Sequence, residues 1–208
     1  MLSPDIFLLF LTTSLLLCLV PGPDNIFVLT QSMLRGTASG FLVTLGLCTG
    51  LLVHTSAVAL GVAVIFQQSQ LAFTMLKLCG AAYLLYLAWG AFRAGAGGLG
   101  TLNATSLDKM ALYRRGIFMN ITNPKVSIFF LAFLPQFTDP SRGHLTLQLM
   151  ALGAIFIVCT LLVFGLISLL AGKVGNWFSQ SPRAEVIMNR VAGSVFAALA
   201  LKLAFTQK

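Results

Sequence analysis

Six long apolar stretches constrain the fold of this chain more than any other feature. Each has at least the ~20 residues that a helix needs to cross a ~30 Å hydrocarbon layer, and none alternates with the period of a strand. Only 9% of the 208 residues are charged, against ~25% in a typical soluble domain. We therefore predict an all-α integral membrane protein with six transmembrane helices. The stretches lie at roughly 5–34, 39–66, 71–92, 116–137, 145–171 and 186–205.

Basic residues are distributed unevenly between the loops. The net charge is +8, but the charges are scattered between spans, which argues against a nucleic-acid surface. Lys and Arg collect on the cytoplasmic side of membrane proteins, and here they collect after spans 1, 3 and 5. Both termini are therefore predicted to be periplasmic. The residues after those spans are Arg35, then Arg93, Lys109, Arg114 and Arg115, then Lys173, Arg183 and Arg190.

A Gly-rich, polar segment divides the chain into two halves of three spans each. We interpret residues 1–208 as one transporter domain, with half 1 at 1–93, a cytoplasmic loop at 94–115 and half 2 at 116–208. Because each half has an odd number of spans, related halves would have opposite orientations in the membrane. This is the inverted-repeat arrangement of many secondary transporters.

Proline interrupts the first and fourth spans near mid-membrane. The interruptions are PGPDN at 21–25 and NPK at 123–125. Proline lacks an N–H group and clashes with the preceding turn, so each helix must open and leave carbonyl groups unpaired. Such openings are tolerated at membrane depth where protein or a water-filled cavity surrounds them, and transporters use them to hold polar substrates. A structural kink is the alternative interpretation.

Asp24 and Lys125 follow the two interruptions and have opposite charges. A charge near the bilayer centre costs from ~3 to over 10 kcal/mol, so it should be paired or line a cavity. A zwitterionic amino acid would suit a cavity that both residues line. The alternative is that Asp24 only caps a helix and Lys125 extends to the membrane interface.

These patterns yield a set of candidate site residues. His54, inside span 2, could pass protons together with Asp24, or could simply bond a neighbouring helix. The four cysteines have no metal-ligand spacing, so we interpret them as packing residues and predict no metal site. The candidate substrate-binding residues are Pro21, Gly22, Pro23, Asp24, Asn25, Asn120, Asn123, Pro124 and Lys125.

Several motifs together resemble the LysE-type amino-acid exporters, also called the RhtB or homoserine/threonine exporter group. They are PGPDNIFVL in span 1, GFLVTLGLCTG with His54 in span 2, LKLCGAAYLLYLAWGAFR at 76–93, MNITNPKVSIFFLAFLPQF at 119–137 and NRVAGSVFAALALKLAF at 189–205. The resemblance covers nearly the whole chain. It implies efflux of amino acids of the homoserine/threonine type, or related derivatives, across the bacterial inner membrane. It also implies a proton motive force as driver and no cofactor.

Two other classes of function stay open at this point. A membrane-embedded enzyme would need clustered carboxylates or a metal set, and the five acidic residues are dispersed. A non-transporting scaffold subunit would have no polar cavity at mid-membrane. Bundles of this size often form homodimers, and the sequence marks no dimer face.

Overall fold

The computed structural model describes residues 3–68, 70–94, 108–171, 173 and 182–205. Eight α-helices make up most of these ranges. After α6 the chain continues as one π-helical turn, Phe129–Phe133, and one 3₁₀ turn, Leu134–Phe137, and a second 3₁₀ turn covers Pro140–Arg142. The helices are α1 Pro4–Leu19, α2 Pro23–Arg35, α3 Thr37–Gln68, α4 Gln70–Arg93, α5 Lys109–Ile121, α6 Pro124–Ile128, α7 Leu145–Leu169 and α8 Pro182–Phe205.

The predicted all-α membrane fold is confirmed. By length and composition, four helices can span a membrane, and six spans result if each of two bent helix pairs counts as one. The first pair, α1 and α2, bends by 61° at PGP, and the second, Lys109–Ile121 with Pro124–Phe137, bends by 49° at NP. Proline therefore breaks spans 1 and 4 where the sequence predicts it.

Helical structure begins inside the segment 94–115 that the sequence predicts as a cytoplasmic loop. Helix α5 already begins at Lys109, and the side chain of Asp108 caps it by accepting a 2.6 Å hydrogen bond from the backbone N–H of Ala111. The first turns of α5 carry basic residues, so a search for apolar runs does not recognise them as helical. Residues 95–107 of the predicted loop lie outside the described residues.

Helix α3 lies at the centre of the bundle, where it packs against α2, α5 and α7, while α4 packs mainly against α8. Gly46 of α3 and Gly116 of α5 allow these two backbones to touch, since a Cβ on either would lie about 3.0 Å from the other's Cα. Phenylalanine rings fill the core beside the second break. Their centroids are 4.9–6.3 Å apart, and they belong to Phe10, Phe129, Phe130, Phe133, Phe137 and Phe156. The two helix breaks face this interior.

Candidate functional site

The first break opens the backbone between Leu19 and Pro23. A carbonyl in a helix accepts from the N–H four residues later, so Pro21 and Pro23 remove two of these donors. Side chains take over part of the pairing. Asn25 Nδ2 donates to the carbonyl of Cys18 at 2.7 Å, which ties the start of α2 back to the end of α1.

The second break is built in the same way around Pro124. The carbonyl of Asn120 has lost its helical donor to this proline and accepts instead from the N–H of Asn123 at 3.1 Å. His54 Nε2 lies 3.2 Å from the same carbonyl oxygen. Asn123 caps the new half-helix, because its Oδ1 accepts from the N–H of Lys125 at 3.0 Å.

Side chains from the second break bond to the first. Asn123 Nδ2 donates to Asp24 Oδ2 at 2.9 Å, and Lys125 Nζ donates to the carbonyl of Val20 at 3.1 Å. The amine can approach because Gly22 has no side chain, and a Cβ there would lie 3.2 Å from Nζ. Asp24 and Lys125, both within the described ranges, do not form a direct ion pair. Each charge is held by a neutral partner.

The burial and hydrogen bonds of Asp24 and Lys125 contradict the alternative that Asp24 only caps a helix and Lys125 extends to the membrane interface. Asp24 is 4% exposed and Lys125 is 9% exposed, so the lysine does not extend to an interface. The residue that caps α2 is Gly22, and no side chain bonds to the N–H groups of this helix start. Asp24 is therefore not a helix cap. Both charges point into protein, as the cost of a lipid-facing charge requires.

Asp24 and Lys125 line one small cavity of about 20 Å³, which has room for roughly one water molecule. Three buried oxygens of the predicted residues have no hydrogen-bond partner among the described residues: Asp24 Oδ1, Asn25 Oδ1 and Asn120 Oδ1. Unpaired buried acceptors are rare and costly, so they indicate groups that a ligand can satisfy. The cavity is lined by Leu17, Cys18, Asp24, Leu47, Leu51, Asn120, Lys125, Val126, Phe156, Thr160 and Phe164.

The structure brings the polar candidates together but not the prolines. Asn25 and Asn123 are buried beside the cavity, whereas Pro23 and Pro124 are exposed and act by setting the backbone. Pro21 and Gly22 are half-buried in the first break. His54 lies next to the site and bonds the carbonyl of Asn120, but its side chain is not among those that line the cavity.

Sequence reasoning missed the contribution of α7 and of one cysteine. Thr160 lines the cavity, and its Oγ1 lies 3.6 Å from Cys18 Sγ. Cys48 and Cys159 are buried packing residues, as predicted, whereas Cys79 is exposed on α4. The signal that could have indicated Thr160 is a hydroxyl inside an otherwise apolar span, but a single threonine commonly bonds its own helix.

Comparison with known proteins identifies the family of this chain. The model of the LysE type translocator family matches residues 15–207, which is most of the chain. The chain belongs to this family. The predicted resemblance is thereby confirmed.

Relatives in the LysE type translocator family match over nearly their whole length. The homoserine/homoserine lactone efflux protein of Salmonella typhimurium is 37% identical over 196 residues, 94% of each chain. An uncharacterized membrane protein of Vibrio cholerae is 33% identical over 199 residues, 96% of each chain. The leucine efflux protein of Salmonella choleraesuis is 26% identical over 199 residues, 95% of this chain and 94% of the relative. No solved structure matches the chain significantly.

Proposed function

We propose that this LysE-family chain is a secondary active exporter of amino acids with neutral or small polar side chains across the bacterial inner membrane. One observation carries the proposal: two buried charges of opposite sign, Asp24 and Lys125, line the same cavity without pairing with each other. The names of relatives, which include homoserine and leucine efflux proteins, support this choice over a membrane-embedded enzyme or a scaffold subunit.

The arrangement suits the two charged groups that all α-amino acids share. The α-carboxylate would accept from Lys125 Nζ, displacing its bond to the carbonyl of Val20. The α-ammonium would donate to Asp24 Oδ1 and to Asn120 Oδ1, which are otherwise unpaired acceptors. Charge-assisted bonds of this kind contribute about 1.5–3 kcal/mol each. The cavity holds about one water molecule, so substrate entry requires the bundle to open around it.

Alternating access driven by proton antiport is the mechanism we propose. Each broken span belongs to a different half of the chain, and the bonds from Asn123 to Asp24 and from Lys125 to Val20 join the halves across the cavity. Rocking of one half against the other would exchange these bonds for bonds to substrate. A proton on Asp24 would neutralise this carboxylate during the return step, with His54 as the second candidate carrier. We place both termini in the periplasm on the distribution of basic residues.

The decisive experiment measures efflux of radiolabelled homoserine, threonine and leucine from cells that express each variant. Lys125→Ala should lower efflux roughly 10- to 100-fold, because the substrate carboxylate loses a charge-assisted bond. Lys109→Ala, at an exposed position of α5 that does not line the cavity, is the control and should retain wild-type efflux. Equal efflux from cells with wild type and with Lys125→Ala would contradict the proposed site. Wild-type efflux no faster than that of empty-vector cells would contradict the proposed function.

The proton step has its own test in proteoliposomes. Asp24→Asn keeps the shape of the side chain but cannot take up and release a proton. It should lose the stimulation of transport by an imposed pH gradient while it still exchanges labelled for unlabelled amino acid. Full gradient stimulation in Asp24→Asn would exclude Asp24 as the carrier, and His54→Gln then becomes the variant to compare.

A further inference from the structure

The cavity has a further pair of polar side chains besides Asp24, Lys125 and Asn120. Thr160 of α7 and Cys18 of α1 line it together, with Oγ1 and Sγ 3.6 Å apart. We propose that Thr160, in contact with Cys18, determines specificity by accepting a hydrogen bond from the side chain of the transported amino acid. It would favour a short, uncharged side chain with a hydroxyl over the same side chain with a methyl group. This inference rests on the proposed function. It assigns a role to the part of the cavity that does not contact the α-ammonium and α-carboxylate groups.

The hydrogen bonds of Thr160 leave it able to accept. Its hydroxyl donates to the carbonyl of Phe156 at 2.9 Å, one turn earlier in α7. A hydroxyl has one donor and two acceptor lone pairs, and the thiol of Cys18 is a weak donor to one of them. The second lone pair can therefore accept from a ligand hydroxyl. The side chains of Thr160 and Cys18 are both at least 95% buried, so bulk water has little access to this lone pair.

The distance along the chain links this pair to the groups that would bind the amino-acid backbone. The carbonyl of Cys18 accepts from Asn25, and the carbonyl of Val20, two residues later, accepts from Lys125. Because Lys125 and Cys18 line the same cavity, a carboxylate that replaces Val20 as the partner of Lys125 lies in the space that Cys18 also lines. Since Thr160 lines the same small cavity as Asp24 and Lys125, the side chain that reaches Thr160 must be short.

Charge restricts the substrate further. Asp24 and Lys125 match the α-ammonium and the α-carboxylate, and no third charged side chain lines the cavity as described. A lysine-like or glutamate-like side chain would bring an unpaired charge into a buried site, which costs several kcal/mol. Apolar walls complete the enclosure and leave Thr160 and Cys18 as the polar part of the side-chain region. The walls are Leu17, Leu47, Leu51, Val126, Phe156 and Phe164.

Pairs of amino acids that differ only by hydroxyl or methyl test this assignment. Homoserine is compared with norvaline, and threonine with valine, in proteoliposomes that contain the full chain. The variants are Thr160→Val, which keeps the shape without the hydroxyl, and Thr160→Ser, which restores it. Thr44→Val is the control, since Thr44 is also buried and also donates to a carbonyl one turn earlier, but does not line the cavity.

Wild type should transport the hydroxylated member of each pair with the higher kcat/KM. Thr160→Val should lower this preference about three- to tenfold, the effect of one neutral hydrogen bond, and Thr160→Ser should restore it. Thr44→Val should leave the preference unchanged even if it lowers the amount of folded protein. An unchanged preference in Thr160→Val, or a wild type that prefers the methyl member, would overturn the assignment while leaving amino-acid export intact. A wild type that transports none of the four but does transport leucine would overturn the assignment alone. A wild type that transports neither these four nor leucine would overturn the proposed function, and the assignment with it.

Discussion

Asn123 is the residue on which the contact between the two breaks depends most. Its amide caps the half-helix at Lys125 through Oδ1 and bonds Asp24 through Nδ2. The two atoms of one amide thus set both the start of α6 and the direction of the buried carboxylate. A change at this residue can separate these two roles.

Asn123→Asp keeps an oxygen for the cap but replaces the donor to Asp24 with a second carboxylate. We expect efflux to fall more than about tenfold at pH 7, because two carboxylates in contact repel and Asp24 loses the donor that Asn123 supplied. The melting temperature in detergent should fall as well. Radiolabel efflux and thermal unfolding measure the two effects.

Two further variants bracket that result. Asn189→Asp, on a half-buried position of α8, adds the same charge away from the cavity and should leave efflux unchanged. Asn123→Ala removes both bonds without adding charge, and the lost cap alone should cost about 1 kcal/mol. If Asn123→Asp retained wild-type efflux, Asn123 would not be the partner that orients Asp24.

Asp139 lies between the fourth and fifth spans and gives a pH-dependent effect outside the membrane. Hydrogen bonds from the hydroxyl and the backbone N–H of Ser141, with help from Arg142, lower the pKa of this carboxyl. A lowered pKa in the folded state means that the ionised form stabilises the loop above the ordinary pKa of 3.8. This stabilisation is lost as the pH falls through the folded-state pKa.

Asp139→Asn should remove that dependence. The melting temperature of the wild type should fall slightly more steeply between pH 5 and acid values below 3.8 than that of the variant. Melting curves in detergent over this range, compared at constant ionic strength, measure the difference. Parallel curves would mean that the bonds around Asp139 contribute nothing to stability.

At the scale of elements, the sequence predicted the spans and both breaks because long apolar runs and prolines have direct physical consequences. Proline removes a donor wherever it stands, so Pro23 and Pro124 mark the starts of α2 and α6. The polar start of α5 was not predicted because basic and polar residues occur in loops as readily as in helices. Thr160 was not predicted because tertiary packing determines which face of α7 lines the cavity, and the local sequence does not indicate that face.

Gly50 of α3 leaves space for the second break, because it has no side chain where α3 packs against Asn120. A Cβ there would lie 2.7 Å from both Cβ and Oδ1 of Asn120. Gly50→Ala should therefore displace Asn120 and destabilise the protein by about 1–3 kcal/mol, with reduced efflux. Thermal unfolding and radiolabel efflux are the measurements.

Gly61, on the same helix, offers a matched control. A Cβ on Gly61 meets nothing within 4 Å among the residues that the structure describes, so Gly61→Ala should be neutral or stabilise the helix by up to about 1 kcal/mol. Because both substitutions raise helix propensity, a difference between them isolates the contact with Asn120. Equal stability of the two variants would show that Asn120 moves aside without cost.

For the whole molecule, the inverted relation of the halves and the membrane orientation stay predictions. They give a specific labelling pattern for single cysteines in a background where all four native cysteines are alanine. His144→Cys, exposed before α7, should react with a membrane-impermeant maleimide in intact cells. Met110→Cys, exposed at the start of α5, should react only after the cells are permeabilised.

The reverse labelling pattern would place both termini in the cytoplasm. Labelling of both positions from the same side would contradict an odd number of membrane crossings between Met110 and His144 and would require span 4 to be re-entrant. The expected result requires the bent pair of α5 and α6 to cross the membrane once. The 49° bend by itself is compatible with either path.

The small volume of the cavity has a consequence for the cell. A space of about 20 Å³ has room for roughly one water molecule, so an amino acid or a hydrated ion enters the polar centre only when the bundle opens further. Leakage is then limited to what opening and closing permits. A bacterium could keep many copies of such a protein in its membrane and still hold the electrochemical gradient on which its other energy-consuming processes depend.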